Sequence, residues 1–473
     1  MLSRRHLLCC GAAAAAGLFS ALAADAAGPL RNPCGHASLP IPGVDPQWLE
    51  RIWDGLDLQQ LWDVHAHLIG TGDSGSGCWI APSLSQWWHP VEFARKHAIL
   101  NGACVDPRAV AAGDIDRAYV RRLTALADAF PVGARWLLFA FDEAVDAAGH
   151  RRPDWTTFHV PDAYARAVAA ARPDRFGWVA SIHPNREDAL TRLDRAIAGG
   201  ALAIKWLPSS MAIDLRDARL RPFYDRLAAA RLPLIVHCGE EHAVPGADRQ
   251  DLGNPLLLRE PLRHGVRVIA AHCASLGHAM DLDLPRPRSV PAFELFARLM
   301  DEPAWQGLLL GDVSAMFQFN RRPEVWRTVL RRQDWHDRLL HGSDYPLPGV
   351  LPLVRLPQLV RAGVLDEAHV APLGALRDHH PRCLISPSSG SPGGRETHWP
   401  PRSSRPPGTS LCRRREGHPG TPGPTQATGA RPSGSTDRYR DRRRVILAAN
   451  LQGDRTARDD SRAIATGNHS KGR

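Results

Sequence analysis

Up to residue 380 the chain has almost no net charge. The full 473 residues carry 59 Lys/Arg against 49 Asp/Glu, a formal +10 that at first sight suggests a nucleic-acid partner. Residues 381–473 hold 18 of those bases and 7 of the acids, which leaves 41 against 42 for everything before them. A basic binding surface on the folded part is not implied, and no nucleic-acid partner is expected. Other absences narrow the field. Between the leader and residue 380 stand only Cys34, Cys78, Cys104, Cys238 and Cys273. Their spacing matches neither a paired-cysteine zinc site nor a dense disulfide framework. Free buried thiols are the expectation, with a bridge open only after export. "GTGDSGSGCW" at 70–79 follows a strand, as a phosphate cradle does, but lacks the lysine such a loop requires. The N-terminal apolar run, Leu7 to Ala23, is Ala-rich and short of the ~20 residues a membrane span needs.

That run has a different use. In "MLSRRHLLCCGAAAAAGLFSALAADAAG" the pair Arg4-Arg5 precedes it, and small residues follow with cleavage points after Ala23 or Ala26. Residues 1–27 read as a twin-arginine export signal. The export machinery is then a partner in transit, and the destination is the periplasm. An uncleaved leader would leave the protein cytoplasmic or membrane-tethered.

Eight short apolar segments recur through the middle of the chain, at 61–69, 134–142, 177–184, 201–208, 232–239, 266–274, 307–315 and 337–346. Near-continuous apolar runs suit strands covered on both faces. Amphipathic stretches such as "PDAYARAVAAARP", "REDALTRLDRAIAGG" and "LRPFYDRLAAARL" lie between them. Strands alternating with helices predict an α/β fold, a closed (β/α)8 TIM-type barrel over 61–381. Residues 28–60 form a lead-in. Residues 70–131 form a long insertion after the first strand, of the kind that serves as a lid.

The first strand, "LWDVHAHLIG", places Asp63, His65 and His67 on one face, because side chains of a strand alternate. His65, His67, His183, Lys205, His237, His272, Asp312 and Asp344 all fall in or at the C-terminal ends of the predicted strands. Barrel enzymes gather their chemistry at those ends. His-x-His on a strand sets two imidazoles side by side, which suits two ligands of one divalent ion. His237 and Asp344 can supply a third nitrogen and a carboxylate, with a position left for water.

At this point "DVHAH", "VHCGEEH", "AAHCASLG" and "HGSDYP", in this order on strands one, five, six and eight, resemble the amidohydrolase superfamily. The resemblance is nearest to the amidohydrolase-related branch containing aminocarboxymuconate semialdehyde decarboxylase, and it covers about 61–380. It implies that His65, His67, His237 and Asp344 bind one Zn2+, with Asp344 also accepting the proton of an activated water. It implies that His272 assists as acid–base. Lys205 is read as facing substrate, against the alternative of a carbamylated bridge between two metals. Trp206, with Trp79, Trp87 and Trp88, is placed at the barrel mouth as a lining for substrate, while the parity of Trp62 turns it outward. His183 and Asp312 are read as supports behind the ligands. The expected activity is metal-dependent hydrolysis of a C–N or C–O bond in a small molecule. The alternatives are a non-oxidative decarboxylase of an aromatic or unsaturated acid and an inactive metal-binding barrel.

After Pro381 periodicity stops, and Pro, Gly, Ser and Arg rise. Residues 382–473 read as a disordered basic tail, and more specifically as a frameshifted one. Arg382–Gly390 can be back-translated so that skipping two nucleotides yields Leu-Leu-Asp-Phe-Ala-Leu-Lys-Arg, an amphipathic helix. Resequencing the gene across codons 376–392 is expected to find the offset. An intact frame there contradicts this reading of the tail.

Overall fold

In the computed structural model the described residues are 31–37, 39–53, 59, 61–130 and 132–381. The export signal, part of the lead-in and the tail from 382 lie outside them. Among the described residues, eight parallel strands form the barrel. They are β1 (Trp62–His67), β2 (Arg135–Phe139), β3 (Phe176–Val179), β4 (Ile204–Trp206), β5 (Leu234–His237), β6 (Val268–Ala271), β7 (Leu309–Asp312) and β8 (Leu339–Leu340). Each overlaps one segment predicted from the sequence. β1, β2 and β3 pair in chain order, and so do β4 through β8.

Two seams close the ring. Ala180 bridges Ile204, with Lys205 N–H donating to the Ala180 carbonyl at 2.8 Å. Ala66 bridges Tyr345, with Val64 N–H donating to His341 and Asp344 N–H to His65, at 2.9 and 2.8 Å. The carboxylate of Asp63 accepts from His65 N–H at 3.1 Å and from Ser343 N–H at 2.9 Å. The first polar group of β1 therefore serves the β8–β1 seam and not the chemistry. Gly342 is needed beside it, since a Cβ there would lie 2.8 Å from the Cβ of His65.

Helices cover the ring through the apolar stripes that the sequence carries. α1 (Pro90–Gly102) and α2 (Ile115–Ala129) belong to the insertion; α3 (Asp162–Ala171), α4 (Ala189–Ala198), α5 (Arg221–Ala230), α6 (Ala292–Asp301), α7 (Pro323–Arg331) and α8 (Val370–His379) follow. In α4 the buried residues are Ala189, Leu193 and Ala196, one face of a 3.6-residue repeat, and the helix ends at Gly199 and a left-handed Gly200. In α6 the buried set includes Phe293, Leu295, Phe296, Leu299 and Met300. Each such side chain contributes about 1.5–3 kcal/mol when taken out of water. After β8, Leu373 and Leu376 of α8 are buried, and His380 Nε2 lies 2.8 Å from the Leu126 carbonyl of α2. No helix of the described residues is long and apolar enough to cross a membrane.

The insertion is tied down, not loose. Its glycine-rich start wraps a carboxylate: Asp116 accepts from the N–H groups of Thr71 (2.6 Å) and Gly72 (3.2 Å) and from the hydroxyls of Ser74 (3.1 Å) and Ser76 (2.5 Å). The donors that a phosphate would use are already spent on a side chain of α2.

The cysteine expectation needs correction. Cys78, Cys238 and Cys273 are free and buried, but Cys34 and Cys104 form a disulfide. Asn32 N–H donates to the Asn101 side chain at 2.9 Å, and the Asn101 side chain donates to the Asn32 carbonyl at 3.4 Å, so polar contacts bring the two segments together. A separation of 70 residues in the chain hides this pairing from sequence reasoning. Closing a loop of that size restrains the unfolded chain and is typically worth about 2–4 kcal/mol. The Cys34→Ser/Cys104→Ser protein is expected to unfold at lower denaturant by that amount, as is the reduced wild type. Coincident unfolding curves for oxidised and reduced protein would contradict the bridge.

Candidate metal centre

The C-terminal ends of the strands converge on His65. Its Nδ1 lies 3.0 Å from Oδ2 of Asp312, at the end of β7. Its Nε2 lies 3.4 Å from Oδ1 of Asp344 and 3.4 Å from the Lys205 ammonium nitrogen. His67 reaches the same Asp344 oxygen, Nε2 to Oδ1 at 3.1 Å. His272 follows β6, and its ring centroid is 4.7 Å from that of His65. One ligand atom from each of His65, His272 and Asp344 falls within 4.8 Å of the others.

Asp312 organises this cluster. Oδ1 accepts from the backbone N–H of His272 (3.0 Å) and of Ser314 (3.1 Å), and from the Ser314 hydroxyl. The Ser314 oxygen, having donated to Asp312, accepts from His272 Nδ1 at 2.8 Å. Both His65 and His272 are thereby fixed as Nδ1–H tautomers, and their Nε2 lone pairs remain for the cluster. The backbone is strained at the same place. His272, Cys273 and Ala274 are consecutive non-glycine residues with φ of +58°, +49° and +50°, and Asp344 has φ +58°. Such residues persist only where their surroundings hold them, commonly at functional sites.

His237, from β5, stands beside His272, with ring centroids 5.0 Å apart. Its Nε2 is 3.2 Å from Oε2 of Glu241 and is taken up there, so the nitrogen it offers is Nδ1. Burial holds His65 and His272 well below the ordinary imidazole range and lowers His237 as well. At neutral pH these imidazoles are uncharged, which is the state in which a nitrogen can donate to a cation. Lys205 is pushed down to about 8 by burial, against the pull of Asp312, Asp344 and Glu241. Neutral nitrogens with an adjacent carboxylate fit a divalent ion such as zinc.

The structure brings together His65, His67, Lys205, His272, Asp312 and Asp344, with His237 alongside. It separates Trp206 from them. On β4 Lys205 points inward, so Trp206 points outward, fully buried against Phe223 and Tyr224 of α5, with its Nε1 donating to the Ile182 carbonyl at 2.8 Å. The substrate-binding role expected of Trp206 is therefore corrected by strand parity. Trp62 does face away, under the Arg135 guanidinium, 5.4 Å from its ring. His183 also lies apart. Its Nε2 donates to the Met211 carbonyl at 2.8 Å, and its Nδ1 accepts from Asn185 N–H at 3.2 Å. Sequence reasoning missed Ser314, Glu241 and Arg321. Ser314 stands two residues beyond Asp312 and Glu241 four beyond His237, spacings that could have marked them. Arg321, in "FNRRPEVW", carries no such signal.

A family model described as amidohydrolase matches residues 62–360. No curated protein matches the chain. Among solved structures, an uncharacterised TIM-barrel protein from Bordetella bronchiseptica is similar at 16% identity, covering 64% of this chain and 100% of its own, with TM-score 0.40. A 5-carboxyvanillate decarboxylase from Sphingomonas paucimobilis is similar at 10% identity, covering 70% and 97%, with TM-score 0.38. An amidohydrolase from Burkholderia multivorans with bound zinc is similar at 13% identity, covering 64% and 89%, with TM-score 0.35.

The hydrogen bonds of His183 generate a prediction. Burial lowers it to about 4, with the Met211 carbonyl, Asp142 and Asp146 opposing and Arg186 assisting. The unfolded chain, titrating near 6.5, binds the proton more tightly than the folded one does. The stability is complete above about pH 6.5 and is lost as pH falls towards 4, by about 3 kcal/mol in all. His183→Gln is expected to flatten the fall in melting temperature between pH 7 and 5. Parallel pH profiles for variant and wild type would contradict this.

Proposed function

The chain belongs to the amidohydrolase family, and from that premise we propose that it is a hydrolase of a C–N or C–O bond in a small molecule, working with one zinc ion. The observation that supports this best is the pair of Nε2 atoms, of His65 and His67, meeting one oxygen of Asp344 at 3.4 and 3.1 Å. His65, His67 and Asp344 would hold the ion, and His237, oriented by Glu241, would complete the set. When bound, such an ion lowers the pKa of water towards 7 and polarises a carbonyl.

The chain's own residues do the rest. Asp344 takes the proton of the attacking water, a step for which its place against both imidazoles suits it. His272 is held by Ser314 with Nε2 bare, so it can take up there the proton that Asp344 has accepted from the water and pass it on to the leaving group. Lys205 is aligned by its contact with His65 and lies over Phe139, 5.1 Å from the ring centre. It offers a buried cation to a substrate carbonyl or carboxylate. That cation also favours a second reading, non-oxidative decarboxylation of an acid in the same site. Export to the periplasm remains part of the proposal, and the Cys34–Cys104 disulfide is consistent with an oxidising compartment.

Elemental analysis of the purified protein is expected to give one zinc-like ion per chain, lost in His65→Ala/His67→Ala. Asp344→Asn is expected to lower turnover by ~10²–10⁴, and His272→Ala to do so while keeping the ion. Asp312→Asn, which disturbs both imidazole tautomers, is expected to weaken metal affinity by ~10–100-fold. Metal content unchanged in the double histidine variant would overturn the ligand assignment. Loss of the ion from His272→Ala would make that residue a ligand. Carbon dioxide released without a hydrolysis product would select the decarboxylase.

A further inference from the structure

Arg321 lies on the loop between β7 and α7, at the end of the barrel that carries the cluster. It is only 8% exposed, yet its Nε and Nη1 are buried with no hydrogen-bond partner. Among the described residues no carboxylate lies within ion-pair distance of it. The guanidinium is nevertheless close enough to the site to depress His237 and His272, and it feels the charges of Asp344, Glu241 and Asp312. A buried guanidinium with unmade hydrogen bonds is costly, because its desolvation is not recovered. Arg95, Arg122 and Arg135 each leave one buried guanidinium nitrogen without a partner, but Arg321 leaves two. Arg186, also largely buried, is paired in both directions with Asp142 at 2.7 Å.

We infer that Arg321 receives an oxyanion from outside the chain, a carboxylate carried by the substrate. A planar fork of N–H donors matches the two oxygens of a carboxylate better than any neutral group. With the proposed metal ligands on β1, β5 and β8, Arg321 approaches from β7, so one end of the substrate is anchored while the other meets Asp344 and His272. The substrate class narrows to small carboxylic acids bearing the bond to be cut. This inference rests on the proposed function for where the chemistry occurs, but the binding it describes does not require turnover.

The test uses the full chain as purified, with acetate, benzoate and isophthalate as carboxylate probes and benzamide as the neutral control, by isothermal titration. Wild type is expected to bind at least one carboxylate and not the amide. Arg321→Met is expected to weaken that binding by about ten- to hundredfold, while Arg321→Lys retains part of it. Because Arg321→Met removes an unsatisfied buried cation, its melting temperature is expected to equal or exceed that of wild type. If Arg321 merely balances Asp344 and Glu241, the variant melts lower and binds carboxylates as wild type does, which overturns the inference. Failure of wild type to bind any of the three acids overturns it too. Metal content measured on the same preparations reports separately on the proposed function. A metal-free wild type that still binds acids through Arg321 would refute that reading and leave this one standing.

Discussion

The carboxylate of Asp312 is the constraint on which the site depends. One of its oxygens fixes His65, and the other holds the backbone of His272 and, through Ser314, the side chain of His272. A buried histidine is free to choose either tautomer until its neighbours decide, and here a single group decides for two of them. The result is a pair of neutral rings with Nε2 lone pairs turned towards Asp344. Burial lowers the proton affinity of these rings and so keeps them competent as donors to a cation.

That arrangement needs a frame that does not shift. The seam between β8 and β1 passes directly under it, since Asp344 N–H bonds to the His65 carbonyl at 2.8 Å and Asp63 bonds across to Ser343 at 2.9 Å. His65 of the first strand and Asp344 after the last are therefore linked through their backbones. The insertion adds a second restraint. Tyr119 of α2 donates its hydroxyl to the His67 carbonyl, and Tyr345 donates to the Ala103 carbonyl at 2.9 Å. The Cys34–Cys104 bridge then ties the lead-in to the same insertion.

Much of this was legible in the sequence. Strand periodicity marked all eight barrel strands, because segments covered on both faces stay apolar along their length. The polar residues at their ends stood out against that background, so His65, His67, His272 and Asp344 could be named before any geometry. Parity also placed Trp62, yet it was not applied to Trp206, which sits one residue from the inward Lys205 and must face the other way. What escaped lies in loops, where no period constrains direction. Ser314 and Arg321 occupy the segment after β7 and Glu241 the one after β5; the spacing from Asp312 and His237 could have marked the first and last of these, but the role of Arg321 depends on a chain path that local patterns do not encode. The disulfide escaped for the same reason, since it joins two irregular segments far apart in the chain.

The central claim is that the cluster around Asp344 is a metal centre with one ion in it. Anomalous scattering from a crystal of the protein as purified, recorded on both sides of the zinc absorption edge, tests this most directly. One peak is expected, in contact with His65, His67 and Asp344. A map with no peak there, or with its peak at some other group of residues, would contradict the account.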